Sequence, residues 1–426
     1  MRAMKNSGIE WIGEIPQNWH TTRIKYCMAI DQEKLSEKTD PEYTFQYIDI
    51  SGVTEYGGIG ETTEMTFEKS PSRARMVVKP GDTIISTVRT YLKAVAYIDS
   101  LGDHICSTGF CVLSPKKGLF PKFTYYVLQS DYVVQKIVSE SVGVSYPAIS
   151  STEIGDIKIA LPEYVVQARI ADYLDAKCAE IDALIATKEK TNALLKERRQ
   201  SIIYEAVTKG LDPTVPMKDS GVEWIGEIPE GWELKRLKYL GSMQIGLTYS
   251  PEEIVADGAL VLRSSNIQDG KIVHADDVFV VKEIPEKLKV EEGDILICSR
   301  NGSRSLIGKN AVITEEFSGQ TFGAFMTIFR GRFNFYIKYL LNSSVFDYYV
   351  GSFLTSTINQ LTTSNLGNIL VPVPSTEEEM WKIAEHIETE CRTIDPIIAM
   401  NNETIQKLKE YRQSLIYEAV TGKIEV

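Results

Sequence analysis

The chain has 426 residues, of which 43% are hydrophobic and 24% charged, which is ordinary for a globular protein of two to four domains. No apolar run approaches the roughly eighteen residues of a membrane span, and the N-terminus lacks the apolar stretch of a signal peptide, so we expect a cytoplasmic protein. The formal net charge of −12 argues against a protein that grips nucleic acid alone through a uniformly basic surface, although local basic patches are compatible with it.

The six cysteines and four histidines argue against a metal site or a disulfide framework. The cysteines are scattered along the chain, and no two of them form a Cys-x-x-Cys pair. We therefore expect reduced, mostly buried thiols, no bound metal and no cofactor on this chain.

The sequence repeats itself at an offset of 213 residues. The block Met4–Trp19 returns at Met217–Trp232 with twelve of sixteen positions identical. The block Lys196–Thr208 returns at Lys409–Thr421 with eleven of thirteen identical. Between these blocks the two halves differ almost everywhere. A long fixed period indicates repeated structural units, so the pattern predicts one scaffold present twice and carrying two different binding regions.

The first variable segment, about 20–161, is predicted to be a mixed α/β unit. Its Gly81-Asp82 turn leads into a β-branched run that favours a buried strand. The polar segment that follows this run, 86–93, is called loop 1. Arginine can bind guanine O6 and N7 together, whereas hydroxyl and lysine side chains bind phosphates, so loop 1 is a candidate nucleic-acid contact; an ordinary solvated loop is the alternative. Its candidate residues are Thr87, Arg89, Thr90, Tyr91 and Lys93.

Residues 163–208 are predicted to form one long helix. Apolar residues recur three, four or seven positions apart along this segment, while Glu and Lys fill the other faces. The second copy predicts an equivalent helix after Pro374, and each helix stops near a glycine, Gly210 or Gly422. Neither helix can bury its apolar stripe alone, so we predict that the two form an antiparallel coiled coil.

A polar residue lies on the apolar stripe near the middle of each helix, Lys188 in the first and its repeat partner Asn401 in the second. Under an antiparallel two-fold, equivalent mid-helix residues meet at the axis. We therefore predict that Lys188 and Asn401 fix the register, as buried polar residues do in coiled coils. The alternative is that both point to solvent.

The second variable segment, about 233–373, is predicted to be a second mixed α/β unit. Its Gly293-Asp294 turn again leads into a buried strand, and the polar segment 299–309 that follows is called loop 2. Loop 2 is longer than loop 1 and differs in content, as expected of two binding regions for different targets. The candidate contacts of this segment are Arg263, Asn266, Arg300, Asn301, Ser303, Arg304 and Lys309.

No pattern typical of a catalytic site occurs in the sequence. Gly302 to Lys309 resembles a P-loop, but five residues separate its glycines where four are needed, and Asn310 stands where Ser or Thr should bind magnesium. The Asn-Pro-Pro-aromatic tetrapeptide of amino-methylating enzymes is absent as well. We therefore expect a non-catalytic protein without catalytic residues.

The repeated blocks resemble those of specificity (S) subunits of type I DNA restriction–modification systems, over nearly the whole chain. The marks are the two Ser-Gly-Ile/Val-Glu-Trp-Ile-Gly-Glu-Ile-Pro-x-x-Trp blocks and the two Arg-Gln-Ser-Ile/Leu-Ile-Tyr-Glu-Ala-Val-Thr helix ends. The segment Gln167–Ile170 resembles the family's helix opening, whereas Met380–Ile383 departs from it by lacking the Gln. The resemblance implies an α/β (α+β) fold with two pseudo-symmetric target recognition domains joined by two long helices. The implied bounds are 1–161 for the first recognition domain, 162–210 for the first helix, 211–373 for the second domain and 374–426 for the second helix.

The resemblance also implies a function. Each recognition domain would read one half of a bipartite asymmetric site in double-stranded DNA, while the coiled coil would set the spacer and dock two methyltransferase (M) subunits. Restriction (R) subunits would join through the M–S core, and S-adenosylmethionine, ATP and magnesium would be bound by the partner subunits only. Two alternatives stay open: a pseudo-symmetric coiled-coil adaptor that presents two protein-binding domains without contacting DNA, and an enzyme whose site has no familiar motif.

Overall fold

The computed structural model describes residues 2–54, 57–99, 102–143, 146–354 and 359–426. The chain divides into two compact units: unit 1 comprises Met1–Glu189 and Asn402–Val426, and unit 2 comprises Lys190–Asn401. Each unit therefore combines one α/β segment with part of each long helix. The domain bounds given above follow chain order and stay a prediction.

Unit 1 contains two four-stranded sheets and smaller two-stranded pairs among its described residues. Its helices are α1 (Ile24–Cys27), α2 (Pro121–Gln129), α3 (Asp131–Glu140) and α4 (Ser151–Asp156). Its strands are β1 (Met4–Asn6), β2 (Glu14–Pro16), β3 (His20–Arg23), β4 (Met28–Ile30), β5 (Thr44–Ile48), β6 (Thr63–Thr66), β7 (Ala74–Val78), β8 (Thr83–Ser86), β9 (Val95–Tyr97), β10 (His104–Ser107), β11 (Phe110–Pro115) and β12 (Lys158–Leu161). The larger sheets have the orders β6-β5-β10-β7 and β4-β11-β8-β9.

Unit 2 is built in a similar way. The long helix α5 (Tyr164–Lys209) precedes the α/β part of unit 2 in the chain, and the first strand after it is β13 (Met217–Asp219). The shorter helices of this unit are α6 (Asn334–Leu340), α7 (Ser344–Phe353) and α8 (Thr363–Asn368). The other strands are β14 (Glu227–Pro229), β15 (Glu233–Arg236), β16 (Ser242–Ile245), β17 (Ile254–Val255), β18 (Ala259–Leu262), β19 (Ile267–Gln268), β20 (Lys271–Ile272), β21 (Phe279–Val280), β22 (Ile295–Cys298), β23 (Asn310–Val312), β24 (Thr321–Phe322), β25 (Met326–Arg330) and β26 (Leu370–Val373). Its four-stranded sheets have the orders β16-β25-β22-β23 and β17-β21-β18-β24.

The two predicted Gly-Asp strands are confirmed as β8 and β22, which occupy equivalent places in the sheets β4-β11-β8-β9 and β16-β25-β22-β23. Gly81 and Gly293 have φ of 94° and 85°, which favours glycine at the turn. The carboxylates of Asp82 and Asp294 each accept a backbone N–H three residues earlier, both at 2.8 Å. All four residues of each strand are buried. The repeat therefore delivers loop 1 and loop 2 from the same structural position in their units.

The second long helix is α9 (Glu377–Thr421). In unit 2, Asn401 of α9 contacts Asn192 of α5, while Asp395, earlier in α9, contacts Arg199, later in α5. In unit 1, Arg412 of α9 contacts Asp182 of α5. Within unit 2 the two helix segments are thus antiparallel, as the sequence predicts.

An arginine–aspartate pair links the two helices in each unit. Arg199 Nε lies 3.0 Å from Asp395 Oδ1, and Arg412 Nε lies 2.9 Å from Asp182 Oδ1. The two pairs are repeat equivalents, since both partners differ by 213 in number. The pair in unit 1 is much more buried, with side-chain exposures of 5% and 32% against 31% and 54% in unit 2. Sequence reasoning did not identify either pair.

Asn401 is buried, and its Nδ2 donates to Oδ1 of the buried Asn192 at 2.9 Å. Asn192 lies one helical turn after Lys188, the partner that the sequence predicted. Lys188 is half-buried and belongs to unit 1, so its pairing with Asn401 stays a prediction. The structure adds Asn192 as a polar residue of the helix interface that the prediction lacked.

The repeated N-terminal blocks form the hairpins β1–β2 and β13–β14. Trp19 and Trp232, which end these blocks, are each 1% exposed. Trp232 Nε1 donates to Glu379 Oε1 at 2.9 Å, and Thr376 Oγ1 caps α9 by accepting from Glu379 N at 3.2 Å. The second block therefore packs beside the start of α9 within unit 2. No helix among the described residues has the length and apolar character required to cross a membrane.

Candidate nucleic-acid interface

Two of the loop 1 candidates serve the loop itself. Thr87 is 9% exposed, and its Oγ1 donates to the carbonyl of Gly109 at 2.9 Å. Thr90 is 3% exposed and shares a hydrogen bond of 2.8 Å with the Ser141 hydroxyl. A hydroxyl buried in this way cannot reach a phosphate, so we reassign Thr87 and Thr90 from DNA contacts to internal structure.

The backbone of loop 1 is held in an uncommon conformation. Arg89 and Lys93 have φ of 49° and 53°, the left-handed region that non-glycine residues rarely adopt, and they flank a short 3-10 turn, Thr90–Leu92. The Arg89 N–H donates to Pro147 O at 2.8 Å, and the Lys93 N–H donates to Thr90 O at 3.0 Å. These two hydrogen bonds hold the backbone of both residues in place. Such conformations cost about 1–3 kcal/mol each and concentrate at binding sites. The turn leaves Tyr91 53% exposed at the tip of loop 1.

Arg89 is exposed, and its guanidinium carbon lies 5.0 Å from the ring centre of Tyr146, which is 67% exposed. Its guanidinium makes no hydrogen bond or ion pair with any residue that the structure describes. The other arginines of the segment 2–161 all do. Their partners are Gly422 for Arg2, Asp156 for Arg23, Asp49 for Arg73 and two carbonyls for Arg75. Lys93 is less available, because its Nζ lies 3.6 Å from the Asp131 carboxylate.

Loop 2 presents an arginine in a comparable way. The guanidinium carbon of the exposed Arg300 lies 5.3 Å from the ring centre of Phe325, which is 58% exposed. The N–H groups of Ser299 and Arg300 both donate to the Phe325 carbonyl, at 2.9 and 3.0 Å. The start of loop 2 is thus fixed to the turn between β24 and β25.

A cleft of about 520 Å³ in unit 2 brings together candidates from two separate segments. Arg263, Arg300 and Asn301 line it together with Phe325. Asn301 Nδ2 donates to Ser264 Oγ at 3.1 Å, which ties loop 2 to the segment after β18. The cleft wall therefore offers hydroxyl, amide and guanidinium groups beside an exposed aromatic ring.

Other candidates of unit 2 are used internally. Asn266 is 0% exposed, and its Nδ2 donates to Asp277 Oδ1 at 2.8 Å, so we reassign it from a DNA contact to the structure of its loop. Arg304 Nη2 donates to the carbonyls of Gly351 and Leu354, both at 3.2 Å, and so closes the C-terminal end of α7. The Arg263 guanidinium is paired with Asp276 at 2.8 Å.

Two further candidates of loop 2 have fewer constraints. Ser303 is exposed and shares a hydrogen bond of 2.9 Å with the Ser305 hydroxyl. Lys309 is half-buried and makes no ion pair with a described residue. Both keep their assignment as predicted contacts.

The charges beside the cleft are largely compensated. The hydrogen bond to Asp277 raises the pKa of the exposed His274, and the same bond lowers the pKa of the Asp277 carboxyl. Burial raises the pKa of the Cys298 thiol at the end of β22.

Among the arginines of 217–373, Arg300 is the one whose guanidinium has no hydrogen bond or ion pair to a described residue. Tyr146 and Phe325, the aromatic partners of the two available arginines, were missed by sequence reasoning because each is far from its arginine in the chain.

Within the described ranges no group of three or more His, Cys, Asp or Glu side chains is arranged to hold a metal ion.

Comparisons with known proteins support the resemblance. Residues 16–197 match the family model of the type I restriction modification DNA specificity domain. The specificity subunit of the type I restriction enzyme EcoKI from Escherichia coli K12 is 31% identical over 208 residues, which cover 47% of this chain and 44% of that subunit. The chain thus matches less than half the length of that relative. The MjaVIII specificity subunit of Methanocaldococcus jannaschii is 27% identical over 422 residues, covering 97% of this chain and 94% of that one.

One solved structure, from a study of complex assembly and conformational transition in a type I R-M system, has a TM-score of 0.69 at 22% identity. It covers 96% of this chain and 99% of the other. The likeness confirms the predicted fold class.

Proposed function

We propose that the chain is a specificity subunit of a type I restriction–modification system, and that it recognises a bipartite, asymmetric sequence in double-stranded DNA. One observation carries this proposal. In each unit, the loop after the Gly-Asp strand presents an exposed arginine without an acidic partner among the described residues, Arg89 in unit 1 and Arg300 in unit 2. Such a guanidinium is free to bind guanine O6 and N7. The loops differ in sequence, so the two half-sites differ as well.

The long helices, in this proposal, set the spacer and dock two M subunits, and R subunits join through the M–S core. Exposed apolar side chains along both helices offer apolar contacts to a docking partner. Examples are Leu184 at 45% and Tyr411 at 57% in unit 1, and Leu194 at 57% in unit 2. The chain itself contributes no catalytic residue. In this proposal the partner subunits, and not this chain, bind S-adenosylmethionine, ATP and magnesium.

The test is to co-express the chain with the methyltransferase subunit of its system and to map modified adenines across a genome. One bipartite motif with a fixed spacer is expected. Arg89→Ala should relax one half-site and Arg300→Ala the other, because a bidentate contact to guanine contributes about 1–3 kcal/mol of discrimination. Arg332→Ala is the matched control, since this exposed arginine is already paired with Glu377. A stable complex that methylates no defined motif would favour the adaptor alternative.

A further inference from the structure

We infer that Phe325 reads a base in the half-site of unit 2, by contacting the 5-methyl group of a thymine within two base pairs of the guanine bound by Arg300. This inference rests on the proposed function and deepens it. It assigns a specificity role to a residue outside loop 2 that hydrogen-bonding chemistry alone would overlook.

The exposure of Phe325 is unusual for its type. It is 58% exposed and is the only phenylalanine among the exposed large hydrophobic side chains of the described residues. Its neighbours in the chain do reach the core, as Phe322 and Phe329 are 1% and 0% exposed. The phenylalanines of the two flanking strands are thus buried in the core, whereas the turn between the strands holds the Phe325 ring in solvent.

The backbone that carries the ring is fixed to the start of loop 2. The Phe325 carbonyl accepts the N–H groups of Ser299 and Arg300, so the ring and the guanidinium are carried on one hydrogen-bonded frame. The backbone that carries both groups does not have to be ordered when a ligand arrives, which reduces the entropic cost of binding. The pair therefore forms one surface in the wall of the cleft.

The chemistry of the pair matches two features of the major groove. Guanine offers O6 and N7 to the guanidinium, and the thymine 5-methyl offers an apolar contact that a phenylalanine ring accepts. The guanidinium and the ring centre are 5.3 Å apart. Base pairs follow each other at about 3.4 Å, so the ring spans one to two steps from the guanine.

The rest of the cleft supplies polar groups that a nucleic acid can use. Ser264, Asn301 and Arg263 line the same cleft with hydrogen-bonding groups, alongside apolar side chains such as Leu247 and Met326. The Asp276 carboxylate, which would repel phosphate, is neutralised by Arg263 at 2.8 Å. Unit 1 carries Tyr146 at its arginine, whose hydroxyl allows hydrogen bonds, so the inference is restricted to Phe325.

The test uses the full chain in complex with its methyltransferase and a duplex containing the mapped site. Each thymine of the half-site that Arg300→Ala relaxes is replaced in turn by 2′-deoxyuridine, which removes the methyl group alone. One replacement should weaken binding about fourfold, the equivalent of one buried methyl-sized group at about 0.8 kcal/mol. Phe325→Ala should weaken binding to the thymine duplex by a similar factor and should abolish the effect of deoxyuridine. Phe325→Leu should retain most of the effect of deoxyuridine, because leucine still offers an apolar contact to the methyl group.

Tyr239→Ala is the matched control, because Tyr239 is 72% exposed under Lys238 in unit 2 but does not line the cleft. It should leave both duplexes unaffected. The inference is overturned if the half-site has no thymine within two base pairs of a guanine, or if deoxyuridine acts equally on the wild type and on Phe325→Ala. It is also overturned if Phe325→Ala disrupts the complex with the methyltransferase. If Arg89→Ala and Arg300→Ala both leave the methylated motif unchanged, these arginines do not read bases and the inference fails with them; if the wild-type complex methylates no defined motif, the proposed function itself fails.

Discussion

The two repeat-related ion pairs between the long helices provide a matched test of how burial sets the strength of an ion pair. Arg412→Ala and Arg199→Ala remove chemically identical partners from Asp182 and Asp395. In unit 1 the arginine side chain is 5% exposed and the aspartate 32%, whereas in unit 2 the values are 31% and 54%. The same substitution therefore leaves a partly desolvated carboxylate in unit 1 and a hydrated one in unit 2.

Removing one partner of a fully buried pair costs about 3–5 kcal/mol, because the remaining charge stays desolvated. Asp182 retains a third of its exposure, so we expect about 2–3 kcal/mol for Arg412→Ala. Exposed pairs contribute about 0.2–1 kcal/mol, and we expect about 0.5 kcal/mol for Arg199→Ala. At about 1.4 kcal/mol per factor of ten, these values correspond to roughly 60-fold and 2-fold changes in a local opening equilibrium.

Hydrogen–deuterium exchange of the full chain, followed by mass spectrometry, measures the two effects separately. Peptides from 164–189 and 402–421 report on unit 1, and peptides from 190–209 and 377–401 report on unit 2. Exchange should accelerate far more in unit 1 for Arg412→Ala than in unit 2 for Arg199→Ala. Equal accelerations would refute the reasoning, since they would mean that burial does not determine the contribution of these pairs.

Three further predictions concern the helices and the thiols. Asn401→Leu alone should lower the free energy of unfolding by about 1–3 kcal/mol, because it leaves the buried Asn192 amide without that partner. The double variant Asn192→Leu/Asn401→Leu should remain within about 1 kcal/mol of the wild type. Thermal unfolding measures both variants, and a double variant less stable than the single one would contradict this reasoning. Inserting four residues into each long helix should change the spacer and preserve both half-sites in methylation mapping, and an unchanged spacer would exclude a ruler. Burial raises the pKa of Cys27 and of Cys178 to about 11, so iodoacetamide at pH 8 should alkylate them at least about 100-fold more slowly in the native chain than in urea; equal rates, measured by mass spectrometry, would show that these thiols ionise normally.

The sequence predicted those features that depend on local pattern. The long helices were predicted at 163–208 and after Pro374, and they are observed at Tyr164–Lys209 and Glu377–Thr421, because apolar periodicity and terminal glycines are visible in the chain itself. Gly210 and Gly422 have φ of 74° and 70°, as expected at helix ends. The Gly-Asp strands were recognisable for the same reason.

The composition of the candidate interface was less accessible from sequence. Polar side chains in a loop face either the solvent or the loop, and only tertiary packing decides which. Asn266 and Arg89 look equally suitable in sequence, yet one amide is consumed by Asp277 and the other side chain remains available. The aromatic partners lie 57 and 25 residues away from their arginines, so no local pattern links them.

The sharing of the long helices between the two units has a consequence for synthesis on the ribosome. The core of unit 1 includes Ile9, Trp19 and Ile170 together with Ile416 and Val420. The core of unit 2 lies entirely between Ile203 and Cys391. Unit 2 can therefore complete its core while unit 1, although its first residues emerge earliest, still lacks the helix segment that closes it. Until about residue 420 has emerged, the nascent chain exposes the apolar face of residues 170–185, and a chaperone that binds such surfaces would protect this protein during translation.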